Sequence, residues 1–577
     1  MGFRVEKDVM VPMRDGVTLA TDLWIPDGGP GPALLVRLPY GKNVVSLGSP
    51  LLPNIFELLD AGYALVWQDC RGTFDSDGEF VAMANEPQDG ADTIGWVCEQ
   101  PWCDGSVGAY GASYFGFTQW AAASQSPEGL KAIAPTITST DYYAGPWYCE
   151  GGALSWHTAW FWSTMMTVRA AQRSVSRGDG DLQTLMALAG AFSDPQAHLN
   201  GMPAEQELLA KHCPWWPDWL RHADRDEFWQ ELCVADRFEA VTVPALNVGG
   251  WFDLFVNNTT RSYTRAKAEA GSTAAREGQQ LIIGPWDHTG QTGAYHDRRF
   301  GPSGDAATAD LTGAHVRFYD RWLRGKTDAL DGTAPVRIFV MGIDRWRDEQ
   351  DWPLPDTTYI DYFLDGAGQA NTADGDGALC TSLPSVGAAD TYVYDPAQPV
   401  PSLGGRMLMP ATLNATGPVD QRQVEARPDV LCYTTPVLQE PVEVTGHVSL
   451  ILHIVSSARD TDFTGKLVDV HPDGRAIYLT DGILRARYRN SLAEPELLEP
   501  EQVYEITLDL SVTSNVFLPG HRIRLEVSSS NFPRFDRNTN TGGCIAEESL
   551  EEAVAATNRI LHGPEHPSRL VLPIIRR

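Results

Sequence analysis

The sequence predicts an α/β chain interrupted by a helical insertion and completed by an antiparallel β domain. Three observations carry this. In the first 140 residues, short apolar runs alternate with helix-like segments, as a mostly parallel sheet wrapped by helices requires. From about 141 to 240 long amphipathic, Trp-rich stretches take over, and beyond roughly 354 strand-like runs are separated by Pro, Gly, Asp and Asn turns. The length, 577 residues, exceeds what one core usually organises, and 18 Trp, 18 Tyr and 20 Phe supply apolar side chain for several cores.

Taken in order, PALLVRLPY (32–40) and YALVWQDCRG (63–72) read as buried strands, with PNIFELLDAG (53–62) and ADTIGWVCEQ (91–100) as the helices between them. SVGAYGASYFGFTQWAAASQ (106–125) gives strand, sharp turn and helix, and KAIAPTIT (131–138) the next strand. WHTAWFWSTMMTVRAAQ, QTLMALAGAF and DEFWQELCVADRF make the insertion helical. VPALNVGGWFD (243–253), NNTTRSYTRAKAEAG and QQLIIGPWDH (279–288) then return to strand, helix, strand, so one sheet interrupted by a cap explains the order better than two separate domains. TYIDYFLDG, VEVTGHVSLILHIVSS, YEITLDLSV and HRIRLEVSSS suit an antiparallel sandwich or jelly roll. The expected boundaries are 1–140 and 241–353 for the two parts of the α/β core, 141–240 for the cap and 354–577 for the β domain.

A net charge of −31 repels phosphate backbones and anionic lipid surfaces, which argues against nucleic acid and membrane partners and suits a neutral or cationic small substrate. The nine cysteines are odd in number and scattered, without a CxxC pair or zinc spacing, and read as reduced thiols. MGFRVEKDVMVPMRDG has no apolar leader core, and no long apolar run follows, so a soluble cytoplasmic protein is expected.

GAYGASYFGFTQW (108–120) nearly spells the strand-to-helix turn G-x-S-x-G that lifts a nucleophilic serine clear of a sheet. Gly111 stands two before Ser113, but Phe115 occupies the second glycine's place and Gly116 comes one residue late. A serine needs a base within reach, a group to orient that base, and donors for the oxyanion. Asp253 lies just beyond the strand in VPALNVGGWFDLF and His288 just beyond the next, in the order Ser, Asp, His. Asp253 could also simply cap the following helix. Asp287 is the weaker orienter, since neighbouring side chains point apart. One oxyanion donor would be the amide of Tyr114. The second should come from RLPYGK (37–42), where Tyr40 offers a hydroxyl or merely packs.

RLPYGK, VWQDCRGTFDSDGEF, WCDGSVGAYGASYFGFTQW, GGWFDLF and GPWDH resemble, in this order, the serine hydrolase family that includes bacterial cocaine esterase, α-amino-acid ester hydrolases and X-prolyl dipeptidyl aminopeptidases. DTDFTGKLVDVHPDGRA, TSNVFLPGHRIRLEVSSSNFPRFDRNTNTGG and GPEHPSRLVLPI extend the likeness over essentially the whole chain, nearest to cocaine esterase. The resemblance implies an α/β-hydrolase core with an inserted helical cap and a C-terminal β jelly-roll domain. It implies Ser113 as nucleophile, His288 as base then acid, Asp253 as its orienter, and Tyr40 with the Tyr114 amide as the oxyanion hole. G-x-S-Y-x-G is the family's form of the elbow. By position, an aromatic acyl group would lie against Trp147, Trp162, Phe255, Leu408 and Met409. Met409 stands where a phenylalanine is expected, and the cap segment EGGALSWHTAWFWSTMMTVRA is bulkier, so an altered acyl specificity is expected. The implied activity is hydrolysis of small carboxylic esters through an acyl-enzyme, with no metal or cofactor, and the family suggests a homodimer. Two alternatives stay open: amino-acid ester or X-Pro peptide hydrolysis, which needs carboxylates to hold an ammonium, and a non-catalytic binding protein on a hydrolase fold.

Overall fold

The computed structural model describes residues 2–408 and 415–577. Two sheets organise it. The first has ten strands: β1 (Phe3–Pro12), β2 (Thr18–Pro26), β3 (Gly31–Leu38), β4 (Ala64–Asp69), β5 (Cys103–Ala112), β6 (Leu130–Thr136), β7 (Leu246–Gly250), β8 (Gln280–Gly284), β9 (Val336–Val340) and β10 (Arg345–Glu349). They lie in the order β1-β2-β4-β3-β5-β6-β7-β8-β9-β10. From β4 to β9 every pair is parallel, and the antiparallel pairs lie at the two edges. Every residue of β4 and β7 is buried, as expected where helices cover both faces of a parallel sheet.

The helices that do so include α1 (Ile55–Asp60), α2 (Glu86–Cys98) and α3 (Tyr114–Ala123). Between β6 and β7 the chain leaves the sheet to build the helical insertion. It begins with α4 (Trp156–Arg177), 22 residues long, and α5 (Leu182–Ser193), and continues through short helices to Leu232. Indole rings bind this insertion together and to the core: Trp147, Trp162, Trp215, Trp219 and Trp229 share one apolar cluster with Trp120 and Phe117 of α3.

Among the described residues the second sheet has eleven strands between Thr358 and Ile575, and of its strand pairs only that of Ala378–Cys380 with Leu431–Thr434 is parallel; neither sheet closes on itself. Its longest ladder pairs Val442–Ser456 with Tyr504–Phe517. Its inner face continues into the α/β core, because Leu281, Ile283, Ile338 and Phe339 belong to the same cluster as Leu450, Leu508 and Leu525. The two sheets are also tied by a two-bond pair from Arg347 to Glu443, at 2.9 and 2.6 Å. All nine cysteines are free. Among the described residues no helix is long and apolar enough to cross a membrane.

Candidate active site

The strand order reverses beside β3: the chain first moves outward to β4 and then returns to place β5 on the other side. A crevice opens at the carboxyl ends of strands where such a reversal occurs. Tyr40 follows the end of β3 and Ser113 the end of β5, so both stand at its mouth. Asp253 and His288 follow the ends of the neighbouring strands β7 and β8.

Ser113 has φ 58° and ψ −126°, a backbone conformation that L-residues rarely adopt. The strain is held from both sides. The Ser113 amide donates to the carbonyls of Thr136 and Ile137 at 3.0 and 3.2 Å, and its carbonyl accepts the Thr138 hydroxyl at 2.7 Å. Gly111, at φ 146°, has no room for a side chain, since a Cβ would lie 2.4 Å from the Phe115 ring and 2.7 Å from its carbonyl oxygen. At Gly116 a Cβ would lie 2.7 Å from Thr138. Position 116 is therefore where the turn demands a small residue, and the Phe115 side chain is free to pack in the core cluster beside Tyr40. Gly116→Val should destabilise the fold by about 1–3 kcal/mol through overpacking, read as a lowered Tm together with lost activity; an unchanged Tm would show that Thr138 can yield.

His288 Nε2 lies 3.1 Å from Ser113 Oγ, and its Nδ1 lies 2.7 Å from Asp253 Oδ2. Asp253 is fully buried, and its other oxygen accepts the amide of Phe255 at 2.8 Å, so it holds the imidazole and the turn before the following helix at once, without capping that helix. Asp287 points elsewhere. Its carboxylate accepts the amides of Thr289 and Gly290 and the Thr416 hydroxyl, and burial raises its pKa above the ordinary carboxylate value.

The Tyr40 hydroxyl accepts the indole N–H of Trp162 at 2.9 Å, so its own proton is not used in that bond; Arg169 and Ser113 are also close to it. Burial pushes this phenol up to about 12, so it stays a donor. The amide of Tyr114 opens α3, where the first N–H groups have no acceptor within the helix. Its phenol donates to Glu86 Oε1 at 3.0 Å and accepts the Met83 amide at 2.8 Å, while Glu86 is held by Arg37 at 2.8 Å. This anchor beneath the turn had no sequence signal, because its members are joined only by the fold.

Trp147 and Trp162 are brought together, with ring centroids 5.0 Å apart, and Leu408 packs against the same cluster. The Phe255 ring lies 5.5 Å from that of His288. Tyr142, which sequence reasoning missed, links the two groups, 6.2 Å from Trp147 and 6.4 Å from Phe255. Met409 lies outside the described residues. Away from this site, one group of His, Cys, Asp or Glu among the described residues has its donor atoms close enough to hold a metal: Asp469 in a strand of the second sheet, His471 just after that strand and His521 just before its neighbour.

Comparison with known proteins places this geometry. Residues 15–290 match the family model of X-Pro dipeptidyl-peptidase (S15 family), and residues 328–571 that of the X-Pro dipeptidyl-peptidase C-terminal non-catalytic domain. The cocaine esterase of Rhodococcus sp. (strain MB1 Bresler) is 51% identical over 100% of this chain and 99% of its own. The chain belongs to the cocaine esterase family of serine esterases. Among solved structures, an aminopeptidase from a marine sediment Thaumarchaeota archaeon superposes on this esterase with a TM-score of 0.81 at 26% identity, covering 100% of this chain and 97% of the other. An α-amino acid ester hydrolase does so with the same TM-score and identity, covering 99% and 96%. The esterase thus has an α/β-hydrolase core with a mostly β C-terminal domain.

Proposed function

We propose that the esterase hydrolyses small carboxylic esters with an aromatic, benzoyl-like acyl group through an acyl-enzyme on Ser113. The observation that carries this is the unbroken hydrogen-bonded line from Ser113 Oγ through His288 to the buried Asp253, with Tyr40 beside it. His288 Nε2 takes the serine proton as the oxygen attacks the carbonyl carbon, and returns it to the departing alcohol. Asp253 keeps Nδ1 protonated, so that Nε2 faces the serine as an acceptor. Tyr40 Oη and the Tyr114 amide hold the tetrahedral oxyanion. Water, activated by the same imidazole, then releases the acid.

The aromatic preference rests on Trp147, Trp162 and Phe255, since ring contacts add about 0.5–1.5 kcal/mol per pair beyond burial. An amino-acid ester or X-Pro substrate would need a carboxylate for its ammonium. Glu86, beneath the Tyr114 ring, is already committed to Arg37 and Tyr114. A panel of phenyl benzoates, amino-acid methyl esters and an X-Pro anilide tests the reading. Benzoates should give the highest kcat/KM, and dominant turnover of the X-Pro anilide would overturn it. Tyr40→Phe should lower kcat by about 100- to 1,000-fold with little change in KM. Equal loss with a phenylalanine that merely misplaces Trp162 is excluded by measuring Trp162→Phe alongside, which should cost less.

A further inference from the structure

Beside the proposed site lies a cleft of about 310 Å³ between α4 and the loop after β4. Its lining starts at Pro39, next to Tyr40, and includes Phe74, Phe80 and Met166 as an apolar floor. Phe80 connects it to the catalytic neighbourhood, with its ring 6.0 Å from Tyr114 and 6.4 Å from Trp162. The other wall is a stripe of cations. Arg169, Arg173 and Arg177 stand four residues apart on α4 and therefore on one helix face, spaced about 6 Å along its axis.

In a chain with 75 acidic against 44 basic residues, arginines ordinarily find a carboxylate. Among the described residues none lies within 4.0 Å of these three, and the positions outside the description hold no Asp or Glu. Asp75 lines the same cleft but pairs with Lys42 at 3.0 Å. What the arginines do touch is uncharged. Arg169 Nη1 donates to the Tyr40 carbonyl at 3.2 Å and its guanidinium lies 5.4 Å from the centre of the Tyr40 ring. Arg173 Nε donates to the Phe74 carbonyl at 2.9 Å, and its Nη2 to that of Ser76. Burial lowers the pKa of Arg169 and Arg173; for Arg173 the neighbouring Arg177 lowers it too, and Asp77, Asp179 and Asp75, all beyond ion-pair distance, offset this only in part.

We propose that this cleft binds the carboxylate of an amphiphilic ester: a substrate whose scissile bond sits at Ser113 and whose far end carries a free acid held by Arg173 and Arg177. The inference rests on the esterase reading above and adds a substrate class to it, against the neutral or cationic substrate that the net charge of −31 alone suggests. The apolar floor takes the body of the molecule, and the two outer guanidinium groups take its charge.

Two matched pairs test this. 4-Carboxyphenyl benzoate against its methyl ester puts the acid on the alcohol side, and phenyl hydrogen glutarate against its methyl ester puts it on the acyl side. The expected result is a preference for the acid in at least one pair that falls about tenfold or more in Arg173→Gln/Arg177→Gln, chiefly through KM. The neutral partner should stay within about twofold, and Arg173→Lys/Arg177→Lys should restore most of the preference. The pair that responds locates the acid. Arg177→Gln alone repeats the comparison without touching the Arg173 bonds to Phe74 and Ser76. An acid-to-neutral ratio that is the same in the wild type and the Gln variants for both pairs overturns the proposal. Failure of the wild type on all four esters would instead overturn the esterase reading beneath it.

Discussion

Ser113→Ala is expected to lower kcat by about 10⁶-fold for every ester the wild type turns over, leaving a residue of activity from binding and the oxyanion donors alone. The size follows from the chemistry. Without Oγ there is no atom 3.1 Å from His288 Nε2 to attack, and the covalent route is lost as a whole rather than weakened. KM should change little, because no wall of the acyl site moves. An organophosphonate should label the wild type at one site and the variant at none. Undiminished hydrolysis in the variant would leave the protein a binding module or an enzyme of another mechanism.

Asp253→Asn should cost about 10⁴-fold in kcat. Asparagine fits the same buried space, and its carbonyl oxygen can still accept the Phe255 amide now bonded at 2.8 Å. Its NH₂, however, would then face His288 Nδ1 as a donor. The imidazole would carry its proton on Nε2 and have no lone pair for the serine. The fold should be intact by circular dichroism and Tm, which separates a wrong tautomer from a collapsed site. A variant keeping more than about a tenth of the wild-type rate would show that Asp253 serves only the turn before the helix.

Much of this was legible in the residues. The alternation of short apolar runs with helical segments marks the strands that carry Tyr40, Ser113, Asp253 and His288, because each of these residues follows a strand whose last four residues are buried. β1 carries no such signal, for a physical reason: it is an edge strand with mostly exposed side chains, and its composition is that of a surface segment. At 115 and 116 spacing alone makes the motif irregular, and the contact of Gly116 with Thr138 shows which position is crowded. The Glu86 anchor of Tyr114 and the Arg169 contact with Tyr40 were not legible at all. They join residues 28 and 129 positions apart, and nothing in either stretch names its partner.

The indole of Trp162 belongs to the insertion, while the hydroxyl it holds belongs to the sheet. Two parts of the chain that look like separable modules therefore meet at one hydrogen bond, and the oxyanion donor proposed above is held by both. Excising the insertion would strip Tyr40 of that bond and uncover the apolar cluster that the insertion shares with α3. The same bond restrains evolution, since a new insertion exchanged into this scaffold must bring a donor to that point or forfeit the rate it was meant to redirect.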